Sequence, residues 1–138
     1  MTTSPIEMPP TYVVDTNALI WYLTSHPRLS KQVEAIFEAA GNGEAHLIVS
    51  AISIAEMYFS DKKFGHFADF AAVYNALKAR PEFELLPVHP DDVLDFDQDA
   101  AVPEMHDRII TGLARRLGVP VLTNDPQIIQ SGLVTVEW

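Results

Sequence analysis

An α/β domain on a mainly parallel sheet is the fold class this chain predicts, and three observations carry that expectation. Short β-branched runs alternate with longer stretches of helical periodicity, the pattern of strand–helix–strand units. Two strand-like runs lead into an acid, Asp15 and Asp125, directly ahead of a helical segment. The length, 138 residues with 48% hydrophobic and 20% charged, suits one compact domain, and no repeat, low-complexity tract or linker divides it.

Tyr12-Val13-Val14 reads as the first strand, and Thr16 to Thr24 as a helix stopped by His26-Pro27. Ser30 looks like the N-cap of a second helix, Lys31 to Ala40, ended by Gly41 and Gly43. His46 to Val49 is the second strand. Ser50 or Ser53 then caps a helix bearing Ile54, Glu56, Met57 and Tyr58. The stripe Phe67, Phe70, Ala71, Tyr74, Leu77 predicts a helix from Phe67 to Arg80, which Pro81 ends. A third strand is expected over Glu84 to Val88 and an acidic helix over Pro90 to Asp97. Asp107 to Leu117 reads as a stronger helix ended by Gly118. Val119 to Leu122 is strand four, Pro126 to Gln130 a short helix, and Val134 to Trp138 a terminal strand.

No cysteine occurs, which removes disulfide scaffolds, thiolate zinc sites, iron–sulfur clusters and thiol nucleophiles. It also accords with a reducing, cytoplasmic setting. No apolar run reaches the ~20 residues of a membrane span, so no membrane association is expected. Met1 to Pro10 has no Lys or Arg and three prolines, unlike a secretory signal; a disordered leader over 1–10 ahead of a single domain over 11–138 is expected. With 19 Asp+Glu against 9 Lys+Arg, the net charge of −10 does not hold nucleic acid by bulk attraction. A carboxylate cluster built for cations would produce the same balance.

Asp15 and Asp125 stand where open parallel sheets bind ligands, beyond the carboxyl ends of strands. Each also has an ordinary reading as a helix N-cap, Asp125 with Pro126 at the first helical position. Glu56 lies in the almost wholly apolar Ala51-to-Phe59 segment, where an unpartnered carboxylate would be costly to bury. Asp107 opens the apolar face of a helix, where the macrodipole also favours an acid. Glu104 and His106 lie close by, as supporting contacts or as solvated groups. Four acids gathered without a cation would repel one another and hold protons tightly. Mg²⁺ or Mn²⁺, hard ions with oxygen ligands, resolve that conflict and can activate water for phosphodiester cleavage.

The order Val14-Asp15-Thr16-Asn17-Ala18-Leu19-Ile20-Trp21, then Ser50 and Glu56, then His106-Asp107-Arg108 and Thr123-Asn124-Asp125 resembles the PIN-domain family. It is most similar to the VapC-type toxin ribonucleases of type II toxin–antitoxin modules, and the closing Val136-Glu137-Trp138 suits them too. The resemblance spans about Tyr12 to Trp138. It implies a PIN-like three-layer fold with helices on both faces of the sheet. It also implies Asp15, Glu56, Asp107 and Asp125 as catalytic metal ligands, with Mg²⁺ or Mn²⁺ as cofactor. Hydrolysis of single-stranded RNA by water would follow. The implied partners are a cognate antitoxin laid over the acidic groove and a second copy of the chain, paired near Tyr58, Phe59, Phe67 or Tyr74. Asn17 departs from the nearest subgroup, which often has His there; the acid set is intact, and the role of position 17 stays open. Thr16 and Thr123 are candidates to order the site through their hydroxyls.

Lys62, Lys63 and His66 form the best local basic patch, with Arg108, Arg115 and Arg116 a second candidate for RNA phosphates. The aromatic stripe reads as core or subunit contact before base-stacking platform. Competing functions are a catalytically inactive PIN-like interaction subunit, which the full acid set disfavours, and a phosphoryl-transfer protein. The latter needs neighbouring acids that this chain lacks, since Asn17 stands where a haloacid-dehalogenase-like phosphatase has its second acid.

Overall fold

The computed structural model describes residues 8–138. Five strands form one wholly parallel sheet in the order β3-β2-β1-β4-β5. These are β1 (Thr11–Val14), β2 (His46–Ser50), β3 (Phe83–Leu86), β4 (Val121–Leu122) and β5 (Val136–Glu137). Between β1 and β2 run α1 (Thr16–Leu23) and α2 (Lys31–Gly41); between β2 and β3 run α3 (Ala51–Phe64) and α4 (Phe70–Ala79). A 3-10 turn, Pro90–Asp95, and α5 (Met105–Leu117) precede β4, and α6 (Pro126–Ser131) precedes β5. Residues 1–7 of the expected leader lie outside the described residues.

The central strands alternate between two apolar layers because successive strand side chains point to opposite faces. Val14, Leu47, Val49 and Leu122 join Leu19, Val33, Phe37, Met57 and Leu77 on one side. Val13, Ile48 and Val121 meet Ile110 and Ala114 of α5 on the other. Helices therefore cover both faces, giving the three layers expected. Among the described residues no helix is long and apolar enough to cross a membrane.

Several boundaries differ from the sequence reading: β3 runs Phe83–Leu86 where the sequence predicts Glu84 to Val88, and β4 and β5 are pared to Val121–Leu122 and Val136–Glu137. The helix expected from Phe67 begins at Phe70, because Asp69 accepts from the Ala72 N–H at 3.1 Å and caps it there. Phe67 instead lies in the preceding loop, its N–H donating to Asp61 Oδ1 at 2.8 Å. The acidic segment is a short 3-10 turn rather than a helix through Asp97. The strong helix begins two residues early, at Met105, since Glu104 and not a later residue caps it.

The chain leaves β1 toward β2 and β3, then returns to β4 on β1's other side. That reversal opens a crevice at the carboxyl ends of β1 and β4, where parallel α/β folds bind ligands.

Candidate active site

Asp15 follows the last residue of β1 and is only 7% exposed. Its carboxylate caps α1, Oδ1 accepting from the Thr16 N–H at 2.7 Å, while Oδ2 accepts from the Thr123 hydroxyl at 2.6 Å. Capping and site-lining are thus one role, not alternatives. Thr123 follows β4 and also accepts from the Asp125 N–H at 3.0 Å, so one hydroxyl ties both strand ends together. Asp125 caps α6 through the Gln127 N–H at 2.9 Å. The Thr16 hydroxyl donates to Glu56 Oε1 at 2.7 Å, fixing the acid that α3 carries. Asp107 sits in the first turn of α5, where its N–H donates to Glu104 Oε2 at 2.7 Å. The second oxygen of Glu104 meets His106 Nδ1 at 2.6 Å, and that nitrogen lies 4.0 Å from Glu56 Oε2.

All four expected acids line one cavity of about 310 Å³, with Thr16, Asn17, Ile20, Ser60 and Glu104. A larger depression of about 370 Å³ lies against Tyr22, His26 and α2, but its charged lining is Lys31 beside Glu34 and Glu38. It gathers no comparable set of like charges.

Crowding marks the smaller cavity electrostatically. Burial pushes the Asp15 carboxyl from 3.8 up to about 6; the Thr123 and Thr16 hydrogen bonds oppose this, and repulsion from Asp125 and Glu56 adds to it. Burial also pushes Asp107 up to about 8, helped by a hydrogen bond with Asp125 and repulsion from Asp15, Asp125 and Glu104. Glu104 goes the other way. Its burial is outweighed by the N–H groups of Asp107 and His106 and by the His106 ring, which hold it below the usual range.

This donor set fits a hard divalent cation: every available ligand is oxygen, and positive charge in the cavity would relieve the repulsion that protonates Asp15 and Asp107. The acids do not stand as a ready cage. Among the described residues no three Asp, Glu or His side chains converge on one point, Asp15, Glu56 and Asp125 each being held by a hydroxyl or a cap bond. Two further hydroxyls, Ser53 and Thr111, are buried without partners, one turn from Glu56 and Asp107 respectively.

The sequence did not disclose that Glu104 both caps α5 and lines the cavity, nor that Ser60 joins it. The signals were there: Glu104 stands three residues before Asp107, a capping distance, and Ser60 four after Glu56, on the same helix face. The arginines of the second basic candidate have internal partners. Arg108 donates to the Val102 and Phe96 carbonyls at 2.7 and 3.3 Å. Arg115 grips Asp99 at 2.7 Å, and Arg116 meets Asp95 at 3.1 Å. These guanidiniums hold the segment before α5.

The PIN domain family model matches residues 12–131. The chain belongs to the PIN domain family. No curated protein sequence matches it. Solved PIN-type structures share its fold. The DNA-bound VapBC of Salmonella typhimurium is 18% identical, with 94% of this chain and 98% of that one covered and a TM-score of 0.69. VapBC2 of Rickettsia felis, bound to a fragment of its promoter DNA, is 15% identical over 92% and 97% of the two chains, with a TM-score of 0.67. The PIN domain endonuclease Utp24 is 17% identical over 92% and 80%, with a TM-score of 0.53. In this PIN domain the four acids stand on the crevice that the strand order opens.

Proposed function

We propose that this PIN domain is an Mg²⁺- or Mn²⁺-dependent endoribonuclease, the toxin of a type II toxin–antitoxin module, hydrolysing single-stranded RNA in the cytoplasm. One observation carries the reading: four carboxylates from four separate elements line a single cavity at the switch point of the sheet, two of them crowded enough to hold protons near neutral pH. Likeness of fold to VapBC complexes and to a PIN endonuclease supports the same class.

Asp15, Glu56, Asp107 and Asp125 are the residues that would hold the ion. When bound, such an ion supplies charge to offset the phosphodiester and lowers the pKa of water. The chain's own contribution is placement. Thr123 and Thr16 orient Asp15 and Glu56 through their hydroxyls, and Glu104 fixes the first turn of α5 and with it Asp107. The antitoxin would present a basic side chain to the same acids in place of the cation. A homodimer would use the side of α3 and α4 bearing Tyr58 and Tyr74, since Phe67 packs against the core.

The test is cleavage of a single-stranded oligoribonucleotide by the purified chain. Cleavage should require Mg²⁺ or Mn²⁺, stop with EDTA and return on adding excess metal. Asp97→Asn, an exposed change beyond the 3-10 turn, should leave the rate alone. Cleavage that persists unchanged in EDTA would contradict the metal requirement, and no cleavage at all would favour the inactive interaction subunit.

A further inference from the structure

Helix α3 buries Ser53, Met57 and Asp61 and turns a different stripe outward. From Glu56 that stripe runs through Phe59, Ser60 and Lys63, the i, i+3, i+4, i+7 spacing that places side chains on one face. Glu56 and Ser60 line the acidic cavity, and Ser60 Oγ meets His66 Nε2 at 2.8 Å. Phe59 is 70% exposed and Phe64 66%. Lys63 Nζ lies 5.2 Å from the Phe64 ring centroid and, among the described residues, has no acidic partner within ion-pair distance. Tyr58 and Lys62 flank the stripe: Tyr58 packs edge-on against both Phe59 and Phe70, at 5.3 and 5.5 Å between ring centroids, and Lys62 Nζ lies 5.3 Å from the Tyr58 ring.

We propose that this stripe is the track for the single-stranded RNA leaving the acidic cavity, with a base stacked on Phe59 and a backbone phosphate met by Lys63. The proposal rests on the nuclease reading above and assigns the strand a direction along α3. Two features select RNA over a protein occupant. The track is continuous with the cavity, sharing Glu56 and Ser60 with it. It also places a cation and exposed rings together on a chain of net charge −10, where Arg80, Arg115 and Arg116 already face acids. An aromatic beside a cation suits a flexible polyanion of flat bases, because every base offers a π-face and the charge requirement is local. The distance from Glu56 to Lys63, about 10 Å along the helix axis, is reach enough for the strand beside the cavity.

Steady-state cleavage of a single-stranded oligoribonucleotide in Mg²⁺, repeated across salt concentrations, tests this with Phe59→Ala and Lys63→Ala. Both side chains are exposed, so both variants should fold, as circular dichroism would verify. Each change should raise KM about tenfold with a much smaller effect on kcat. Lys63→Ala should also flatten the log KM–log salt slope by about 0.7, the share of one phosphate contact on single strands, whereas Phe59→Ala should leave that slope as in the parent. Parent-like KM in both variants overturns the track. So does parent-like KM joined to a loss of self-association in sedimentation, which would make the stripe a subunit contact. A parent chain that cleaves no RNA fails differently: it removes the nuclease reading itself.

Discussion

Asp15 is the most deeply buried acid of the cavity. Its carboxyl is raised from 3.8 to about 6 by burial, so between those values the folded chain binds more protons than the unfolded one. Stability of the metal-free protein should therefore be greatest on the acid side, fall as pH rises from about 4 through 6, and go on falling toward 8 as Asp107 ionises. Urea unfolding in EDTA at pH 5, 6, 7 and 8 checks the sign. Neutralising the side chain removes this cost. The gap between 3.8 and about 6 corresponds to about 3 kcal/mol, from which the impaired Thr123 contact subtracts. Asp15→Asn should thus stabilise the metal-free protein at pH 7.5 by about 1–2 kcal/mol, measured by the same unfolding curves. Thr123→Val acts in the opposite sense on the acid: losing the hydroxyl donor should push Asp15 higher still and shift the rise of activity with pH to more alkaline values.

At the scale of elements, α5 is locked to the segment before it. Arg108 holds two carbonyls, Arg115 grips the buried Asp99, and Gly112 lets that carboxylate lie against the helix. A Cβ at position 112 would stand 2.8 Å from Asp99 Oδ2, which cannot swing away without releasing Arg115. Gly112→Ala should therefore destabilise by about 1–2 kcal/mol despite the better helix propensity of alanine, seen as a lowered Tm. Most elements were legible in the sequence because their determinants are local: the β-branched run before Asp15, Ser30 as a cap, and the stops at Pro81 and Gly118. What escaped depended on contacts distant in sequence or on competing caps. Asp69 outcompetes the aromatic stripe as the start of α4, and Glu104 begins α5 two residues early. The acids themselves stood out as carboxylates beside apolar runs. Their hydroxyl partners could be named only as candidates, since Thr16–Glu56 and Thr123–Asp15 are 40 and 108 residues apart.

For the whole molecule, an excess of acids and a site that crowds four of them both favour binding of cations over bare RNA contact. Saturating Mg²⁺ at about 100 times its Kd should stabilise the fold by about 3 kcal/mol. The Tm gain should be larger at pH 7.5 than at 5.5, where protons compete for Asp15 and Asp107. Differential scanning calorimetry with and without the ion reads both quantities. One comparison tests the hydrolytic role of this cavity most directly: the rate at which purified Asp15→Asn and the parent cleave the same single-stranded RNA at the same saturating Mg²⁺. The expected result is a folded variant, more stable than the parent without metal, that cleaves at less than about 1% of the parental rate, a loss typical of removing one strong transition-state contact. A variant that cleaves as fast as the parent would contradict the assignment of this cavity as the hydrolytic centre.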